Sequence, residues 1–282
     1  MNTIKKNFGQ AFAPAHISGI FVIYLKKDAS LSGSMGCGIC LEDGALTKIC
    51  ATHDTTIKIN GAVSEAPTTM STIRLLTEEH VLVDTTLGIP VGAGFGASGA
   101  GAMSTALALN EALSLNLTLN ELARVAHTAE VTNRTGLGDV AGQTCGGIDL
   151  RKKVGVPGII DRIPCKDMQI SWVSFGEIST RSVLSDDLKR KTINKIGKSR
   201  LKELMKRPTL SNFFRQSSAF AKEIELMSPQ VKDAIEAVEA GGGLASQAML
   251  GNTVFAINAG DALMEFGEVH LSRISHAGAH LL

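Results

Sequence analysis

The sequence predicts an α+β fold, in which strand-forming and helix-forming segments follow one another in two successive groups. In the first half, short apolar or alternating runs come before two long helical patterns, and in the second half strands flank a long helical stretch. The 282 residues are 44% hydrophobic and 20% charged, which is sufficient for a large buried core in one large domain or two medium ones.

The first half is expected to begin with strands and to end in helices. Strands are expected at 21–25, 36–41, 46–51 and 80–87. The sequence Glu42-Asp43-Gly44 is typical of a hairpin turn between the second and third of these runs. A helix is predicted over 99–115, and a capping box from Thr118 to Glu121 begins another helix that continues to residue 133.

The second half is expected to place strands around a helical stretch. Strands are expected at 159–163, 168–175, 253–258 and 269–274. Residues 185–240 are predicted to be mostly helical, with breaks at Pro208 and Pro229. A change of composition near 158–165 indicates a domain boundary, which we place between residues 160 and 161.

The composition narrows the function classes. A net charge of +1 gives no overall attraction to nucleic acid, and 4% aromatic residues are too few for a base-stacking platform. The odd number of cysteines, five, argues against a disulfide framework and for a reducing compartment. Neither a secretory signal nor a membrane-spanning apolar run is recognisable, so we expect a cytoplasmic protein without membrane contact.

The most informative segment is the glycine-rich stretch Pro90-Val-Gly-Ala-Gly-Phe-Gly-Ala-Ser-Gly-Ala100, which is followed by a helical pattern. Glycines let backbone N–H groups converge and a helix N-terminus attracts anions, so the segment predicts a phosphate site, with a plain turn as the alternative. Residues 94–99 also match the dinucleotide motif G-x-G-x-x-G. That motif needs a strand after its helix, whereas a second helix begins at Thr118, so a nicotinamide-dependent oxidoreductase is the less supported alternative.

Two carboxylates follow the glycine-rich stretch. Glu130 lies near the end of the second predicted helix, one turn after His127, and Asp139 is the only charge in the glycine-rich loop 136–147. Each of the three residues has an alternative interpretation. Glu130 could lie on a solvated helix face, His127 could be a structural histidine, and Asp139 could cap a turn. Together with a phosphate loop, however, these residues supply what phosphoryl transfer requires, which is a carboxylate for Mg²⁺ and another to orient a hydroxyl.

These motifs carry a resemblance to the GHMP kinases, the small-molecule kinases for galactose, homoserine, mevalonate and phosphomevalonate. Residues 90–100 resemble their second motif, Ala13-Pro-Ala-His16 the first and Ala245–Asn252 the third, and Glu130 and Asp139 have the expected spacing. Within the superfamily, the chain is most similar to the archaeal pantoate kinases, in the segments 13–21, 33–41, 136–140 and 245–253.

The resemblance implies a fold and an activity. The fold is a two-domain α+β architecture, with an ATP-binding domain like ribosomal protein S5 domain 2 over 1–160 and a ferredoxin-like domain over 161–282. The activity is ATP-dependent phosphorylation of the terminal hydroxyl of pantoate to 4-phosphopantoate, in archaeal coenzyme A biosynthesis. A mevalonate, homoserine or shikimate type of GHMP kinase is the alternative. Pantoate and ATP are the expected partners, with a homodimer as one assembly the sequence allows.

The resemblance also implies site residues. Ser98 and Glu130 would hold Mg²⁺, and Asp139 would receive the proton of the acceptor hydroxyl, with His16 beside it. The residues implied to surround the ATP phosphates are Pro90, Gly92, Ala93, Gly94, Phe95, Gly96, Ala97, Ser98, Gly99 and Ala100. The chain departs from the superfamily at His16, where Lys or Arg is usual. It also departs at Gln247 and Met249, which replace glycines of the third motif, so we expect a looser or differently shaped contact with the phosphates there.

Pantoate carries a carboxylate that needs a cationic or hydrogen-bonding partner. Arg151, directly after the second glycine-rich loop, is the first candidate, followed by His127 and Ser34, with Arg134 as a weaker alternative. The alternative for Arg151 itself is a surface charge beside two lysines.

A basic run over 189–207 predicts a solvated helix face, with a polyanion-binding module as the competing function.

Overall fold

The computed structural model describes residues 7–177 and 187–282 and has the predicted α+β architecture. The strands are β1 (Phe8–Tyr24), β2 (Gly33–Ala51), β3 (Thr56–Ile59), β4 (Ala62–Val63), β5 (Val81–Leu87), β6 (Ile148–Lys153), β7 (Ile159–Ile163), β8 (Gln169–Ser174), β9 (Leu244–Gln247), β10 (Thr253–Ile257), β11 (His270–Arg273) and β12 (His280–Leu281). The helices are α1 (Pro67–Leu76), α2 (Ala97–Leu113), α3 (Leu119–Asn133), α4 (Asp139–Cys145), α5 (Asp187–Lys206), α6 (Leu210–Glu223) and α7 (Pro229–Ala240).

The strands of the first half form one large sheet. Its order in the described residues is β12-β1-β2-β5-β3-β4, and β6 pairs with β2 and with β7. Helix α2 packs on β1 and β2, and it is buried almost all round because its sequence consists largely of small and apolar residues. Gly9 of β1 permits this close approach, since a Cβ there would overlap the backbone of Ala108.

The predicted hairpin at 42–44 is wrong. Residues 33–51 form one continuous strand, β2, which pairs along its length with β1. The pairing passes from Pro14 opposite Gly44 to Ala15 opposite Leu41, so that Glu42 and Asp43 are extra residues in a bulge. A β-bulge uses the same residue types as a tight turn, and long-range pairing with β1 decides between them.

The second sheet has the ferredoxin-like order. The sheet is antiparallel, in the order β11-β8-β10-β9. The last strand in the sequence, β11, therefore lies beside the first, β8, and β10 lies between β8 and β9. Helices α5, α6 and α7 connect β8 to β9. A single 3₁₀ turn at Met264–Phe266 lies between β10 and β11, where a ferredoxin-like domain has its second helix.

The other predicted elements of the second half agree with the structure, although residues 185–186 lie outside the described part. The boundary between residues 160 and 161 stays a prediction, and it falls within β7, which pairs with β6 of the large sheet. Helix α5 buries Ile193, Gly197 and Leu201 and exposes most of its basic side chains. Within the described ranges, no helix has the length and apolar character needed to cross a membrane.

Candidate active site

The glycine-rich stretch forms a tight loop that leads into the N-terminus of α2. Gly92, Gly94 and Gly96 have φ values of +75°, +91° and +61°, in the left-handed region that residues with a Cβ rarely adopt. Gly96 is the N-cap residue of α2 and supplies no side-chain acceptor to the first turn. The N–H groups at the positive end of this helix are therefore available to an anion.

Residues from both halves of the chain contact the loop on the side facing the protein interior. The N–H of His16 donates to the carbonyl oxygen of Phe95 at 2.9 Å. The buried ring of Phe95 packs edge-on against Trp172 of β8, with 4.7 Å between ring centroids. This anchoring fixes the loop relative to both sheets.

A cavity of 390 Å³ opens above the loop. Gly92, Gly94 and residues 95–98 form one side, and residues 133–139, between α3 and α4, form the opposite side. The remaining lining residues are Ser18, Phe21, Ser34, Val91, Glu177, Met249 and Leu250. The predicted phosphate loop and Asp139 therefore share one cavity, whereas Pro90, Ala93, Gly99 and Ala100 are not among its lining residues.

Ser98 and Glu130 meet where α2 and α3 lie side by side. The hydroxyl of Ser98 donates to Oε1 of Glu130 at 2.8 Å, whereas the fully buried Oε2 accepts no hydrogen bond from the described residues. Burial, followed by repulsion from the carboxylate of Asp139, raises the pKa of Glu130 to about 8. Oε1 of Gln143 is also buried without a donor, and a Cβ on Gly99 would lie about 3 Å from both orphaned oxygens, at 2.9 Å and 3.0 Å.

Asp139 is the first residue of α4. The interpretation of 136–147 as a loop is thus wrong, because residues 139–145 form a short helix that packs on the large sheet. The carboxylate is 19% exposed, and its Oδ1 accepts from Nδ1 of His16 at 2.8 Å. The other side of the imidazole contacts Asp149 of β6, with 2.6 Å between Nε2 and Oδ1.

Arg151 is not a surface charge. It is 1% exposed, and its Nη1 donates to Oδ2 of Asp149 at 2.5 Å while its Nη2 donates to the hydroxyl of Ser18 at 3.2 Å. Lys152 and Lys153, by contrast, are exposed. Alternation along β6 directs Asp149 and Arg151 to the same face of the strand, toward His16.

Comparisons with known proteins agree with this geometry. Residues 67–147 match the family model of the GHMP kinases N terminal domain. The chain is 31% identical to a pantoate kinase of Methanospirillum hungatei over 96% of each protein, and 33% identical to that of Methanocaldococcus jannaschii over 89% of this chain and 93% of the relative. The chain belongs to the pantoate kinase family of the GHMP kinases. A solved structure described as a phosphotransferase related to the CoA biosynthesis pathway aligns over 98% of both chains, with a TM-score of 0.89 and 28% identity.

Family membership makes the position of His16 informative, because the superfamily usually has Lys or Arg there. Burial lowers the pKa of His16, but the charge of Asp149 and the hydrogen bonds to Asp139 and Asp149 outweigh it, and the net effect is a raised pKa. The raised pKa favours the protonated imidazole beside Asp139.

The three residues predicted to bind the pantoate carboxylate occupy different depths. Ser34 lines the cavity, and Arg151 lies behind it. His127 is buried and its Nε2 donates to the carbonyl oxygen of Ser32 at 2.9 Å, which leaves Nδ1 without a described partner. Burial lowers the pKa of His127. The neutral form of its imidazole is therefore favoured over the cation.

The third motif contacts the glycine loop closely, and the expected difference in its contact with the phosphates stays a prediction. A Cβ on Gly94 would lie 3.1 Å from Ala248 and from Gly251. Gln247 is buried and its Nε2 donates to the carbonyl oxygen of Gly251 at 2.9 Å, so it stabilises the turn from inside. Met249 lines the cavity as an apolar wall residue.

Asp149, Gln143 and the apolar wall are not among the site residues predicted from the sequence. Asp149 and Arg151 alternate with Ile148 and Leu150, and two charged residues on one face of an otherwise buried strand are a signal of a paired internal site. The wall residues Phe21, Leu137 and Leu250 come from three distant segments, and only the fold brings them together.

Proposed function

We propose that the protein transfers the terminal phosphoryl group of ATP to the terminal hydroxyl of pantoate and forms 4-phosphopantoate, on the route to coenzyme A. The observation that supports this most is that one cavity contains both an anion-binding helix N-terminus and the partly exposed carboxylate of Asp139. Membership in the pantoate kinase family supports the choice of acceptor.

The glycine loop would bind the ATP phosphates through the N–H groups of Gly94 to Ser98 and the first turn of α2. Glycine is needed there, because a Cβ on Gly96 would lie 3.0 Å from the Cβ of Asp139. These donors are held in place before the substrates bind, so they stabilise developing charge without reorganisation.

The chemistry of the donor set fits Mg²⁺. Ser98 supplies a hydroxyl in the cavity lining, and the carboxyl group of Glu130 lies directly behind it, with a buried Oε2 that has no donor among the described residues. A hydroxyl and an unpaired carboxylate oxygen side by side are ligands that suit Mg²⁺. Mg²⁺ bound there would neutralise charge on the phosphates. Loss of the Glu130 proton would accompany its binding.

Asp139 would accept the proton of the acceptor hydroxyl. The hydroxyl oxygen forms the new bond to the terminal phosphorus, the bond from that phosphorus to the bridging oxygen of ADP breaks, and the proton passes to the carboxylate. Nδ1–H of His16 donates to Oδ1, which leaves Oδ2 for the substrate.

The acceptor side of the cavity suits a small hydroxy acid with apolar substituents. Ser34 offers a hydroxyl for the pantoate carboxylate, with Arg151 and His127 behind it, and Arg134 is the alternative at the rim. The gem-dimethyl group would pack on Phe21, Leu137, Met249 and Leu250.

A coupled ADP-release assay tests the proposal. The purified protein is supplied with Mg²⁺ and ATP, and with pantoate, mevalonate, homoserine or shikimate in parallel. We expect kcat/KM for pantoate to exceed that of every other acceptor by about 100-fold or more, as expected when buried polar partners discriminate between substrates. Turnover of another acceptor at a higher kcat/KM than pantoate would contradict it.

The remaining expectations stand as parts of the same proposal. We propose a cytoplasmic location, supported by five free cysteines, three of them partly exposed. We also propose domains 1–160 and 161–282 and the absence of a nucleic-acid partner, the last supported by the near-neutral net charge. A homodimer stays one assembly that the sequence allows.

A further inference from the structure

Four charged side chains form a continuous chain of contacts behind the cavity. It runs from Asp139 to His16, from His16 to Asp149 and from Asp149 to Arg151, at 2.8 Å, 2.6 Å and 2.5 Å. Only Asp139 reaches the cavity surface, and the other three are 0–1% exposed. Asp149 is the central member, because each of its two oxygens accepts from a different residue.

The contacts of this cluster favour one arrangement of its protons. An ionised carboxylate only accepts hydrogen bonds, so short contacts from both ring nitrogens of His16 to carboxylates require a proton on each nitrogen. Nη1 of Arg151 also lies at hydrogen-bond distance from Nε2 of His16, at 3.0 Å, but the contacts of both nitrogens with Asp149 are shorter, at 2.5 Å and 2.6 Å. Two cations and two anions then balance one another, which a buried group of charges requires.

Three glycines make the space for this cluster. A Cβ on Gly38 of β2 would overlap Nε2 of His16, and one on Gly142 of α4 would overlap the same ring and lie 3.0 Å from Oδ1 of Asp149. A Cβ on Gly36 would lie 3.1 Å from Nη2 of Arg151. Glycines on two elements thus accommodate the imidazole and the guanidinium.

Arg151 extends from this cluster toward the acceptor side of the cavity. Its Nε is buried and has no partner among the described residues. A Cβ on Gly138, which lines the cavity, would lie 3.1 Å from this Nε and would overlap the hydroxyl of Ser34. The free donor of Arg151 therefore faces the part of the wall where the acceptor carboxylate is proposed to bind.

We propose that Asp149 is a positioning residue of the phosphoryl transfer, which holds His16 against Asp139 with one oxygen and holds Arg151 toward the acceptor with the other. This inference rests on the proposed function and deepens it. Because both partners are attached to one carboxylate, the distance between the proton acceptor and the carboxylate-binding cation is fixed. An acceptor is then selected by the spacing between its hydroxyl and its carboxylate.

Asp149→Asn tests the proposal, because it keeps the size of the side chain and replaces one acceptor oxygen by a donor. We expect kcat with pantoate to fall by about 100-fold, since misplacement of a reacting group by 1 Å has an effect of that size. KM for pantoate should rise, and KM for ATP should not change. The matched control is Asp161→Asn, an exposed carboxylate of the neighbouring β7 paired with Lys152, which should keep all three parameters.

A spectroscopic measurement of the His16 protons in the wild-type protein does not require the variant to fold. It also does not depend on which acceptor the enzyme uses. Nitrogen-15 NMR of the histidine side chains, with His16 assigned from its absence in His16→Gln, should show protons on both ring nitrogens at pH 7. In Asp149→Asn, one of these protons should be lost. A wild-type His16 ring with a single proton, or wild-type kcat in folded Asp149→Asn, would overturn the positioning role. A protein that shows the doubly protonated ring but does not phosphorylate pantoate would overturn only the proposed function.

Discussion

Ser98 is the residue at which the glycine loop and α3 meet, and its hydroxyl donates to Glu130 at 2.8 Å. In the proposed function the same hydroxyl is a metal ligand. Removal of the Ser98 hydroxyl has a different effect for each of these two roles. Loss of the hydrogen bond alone would affect the fold, whereas loss of a ligand would affect the dependence of the rate on Mg²⁺.

Ser98→Ala should raise the Mg²⁺ concentration for half-maximal activity by about tenfold, since a hydrogen bond or ligand contact involving a charged group contributes about 1.5–3 kcal/mol. The measurement is a Mg²⁺ titration of the initial rate at saturating ATP and pantoate. Ser199→Ala, at an exposed position of α5, is the control. An unchanged Mg²⁺ dependence in Ser98→Ala would remove Ser98 from the metal site.

Among single residues, Ser98, Glu130 and Asp139 could be singled out from the sequence because of their motifs and spacing. The structure places Ser98 and Asp139 in the lining of one cavity, and Glu130 is buried next to Ser98. Asp149 has no motif, because its importance comes from two contacts with residues 133 positions and 2 positions away. The alternation of Asp149 with Arg151 indicates an internal pair, but nothing local in the sequence indicates the contact with His16.

At the scale of elements, the end of α3 shows how the site is built. Its N-terminus has the predicted capping box, in which the N–H of Thr118 donates to Oε2 of Glu121 at 2.8 Å. Its C-terminus is less favourable, because Arg134 is the C-cap residue with φ of +57°, a conformation that suits glycine. Arg134 also lines the cavity, which gives a functional reason for a residue other than glycine.

Arg134→Gly should therefore increase the free energy of unfolding by about 0.5–1 kcal/mol, since glycine adopts this conformation without steric cost. Urea denaturation measures the change. Arg134→Ala removes the same guanidinium but keeps the Cβ, so it should give no such gain. Equal stability of the Gly and Ala variants would show that the backbone at residue 134 is not strained.

Elements whose signals are local were predicted correctly, and those decided by packing were not. The capping box of α3 is an example of the first kind. Glu42-Asp43-Gly44 and residues 139–145 are examples of the second, because pairing with β1 turns the first into a bulge and packing on the large sheet makes the second a helix. Glycine-rich segments give the weakest local preference, so tertiary contacts decide their structure.

At the scale of the whole molecule, the two sheets meet at the glycine loop. The turn between β9 and β10 contacts the loop at Ala93 and Gly94, and Met249 pairs with Ser18 of β1. The phosphate site is therefore shaped by both halves of the chain, and a change in the second half should alter ATP binding.

Gly251→Ala tests this connection, because a Cβ there would overlap the carbonyl oxygen of Ala93. We expect a loss of about 1–3 kcal/mol in the free energy of unfolding from overpacking, together with a higher KM for ATP. The control is Gly241→Ala, where φ is −78° and the nearest atom would lie 3.6 Å from the added Cβ. A normal KM for ATP in folded Gly251→Ala would contradict a shared phosphate site.

The two-domain architecture was predicted from the resemblance to the GHMP kinases. It could not be derived from the composition of the sequence. Helix and strand patterns indicated an α+β protein, but the strand order depends on pairings such as Ala11 with Leu281, which join the two ends of the chain. No local pattern specifies such a partner. The motifs supplied the order because they identify a superfamily whose members share it.

The central claim is that Asp139 accepts the proton of pantoate in a cavity that also binds ATP. The most direct measurement compares wild type and Asp139→Asn for ATP-dependent formation of 4-phosphopantoate, followed by phosphorus-31 NMR, with ATP affinity measured on the same samples. We predict that Asp139→Asn binds ATP like the wild type and forms product at least about 100-fold more slowly, the lower range for loss of general base catalysis. Product formation at the wild-type rate by a folded, ATP-binding Asp139→Asn protein would contradict the account.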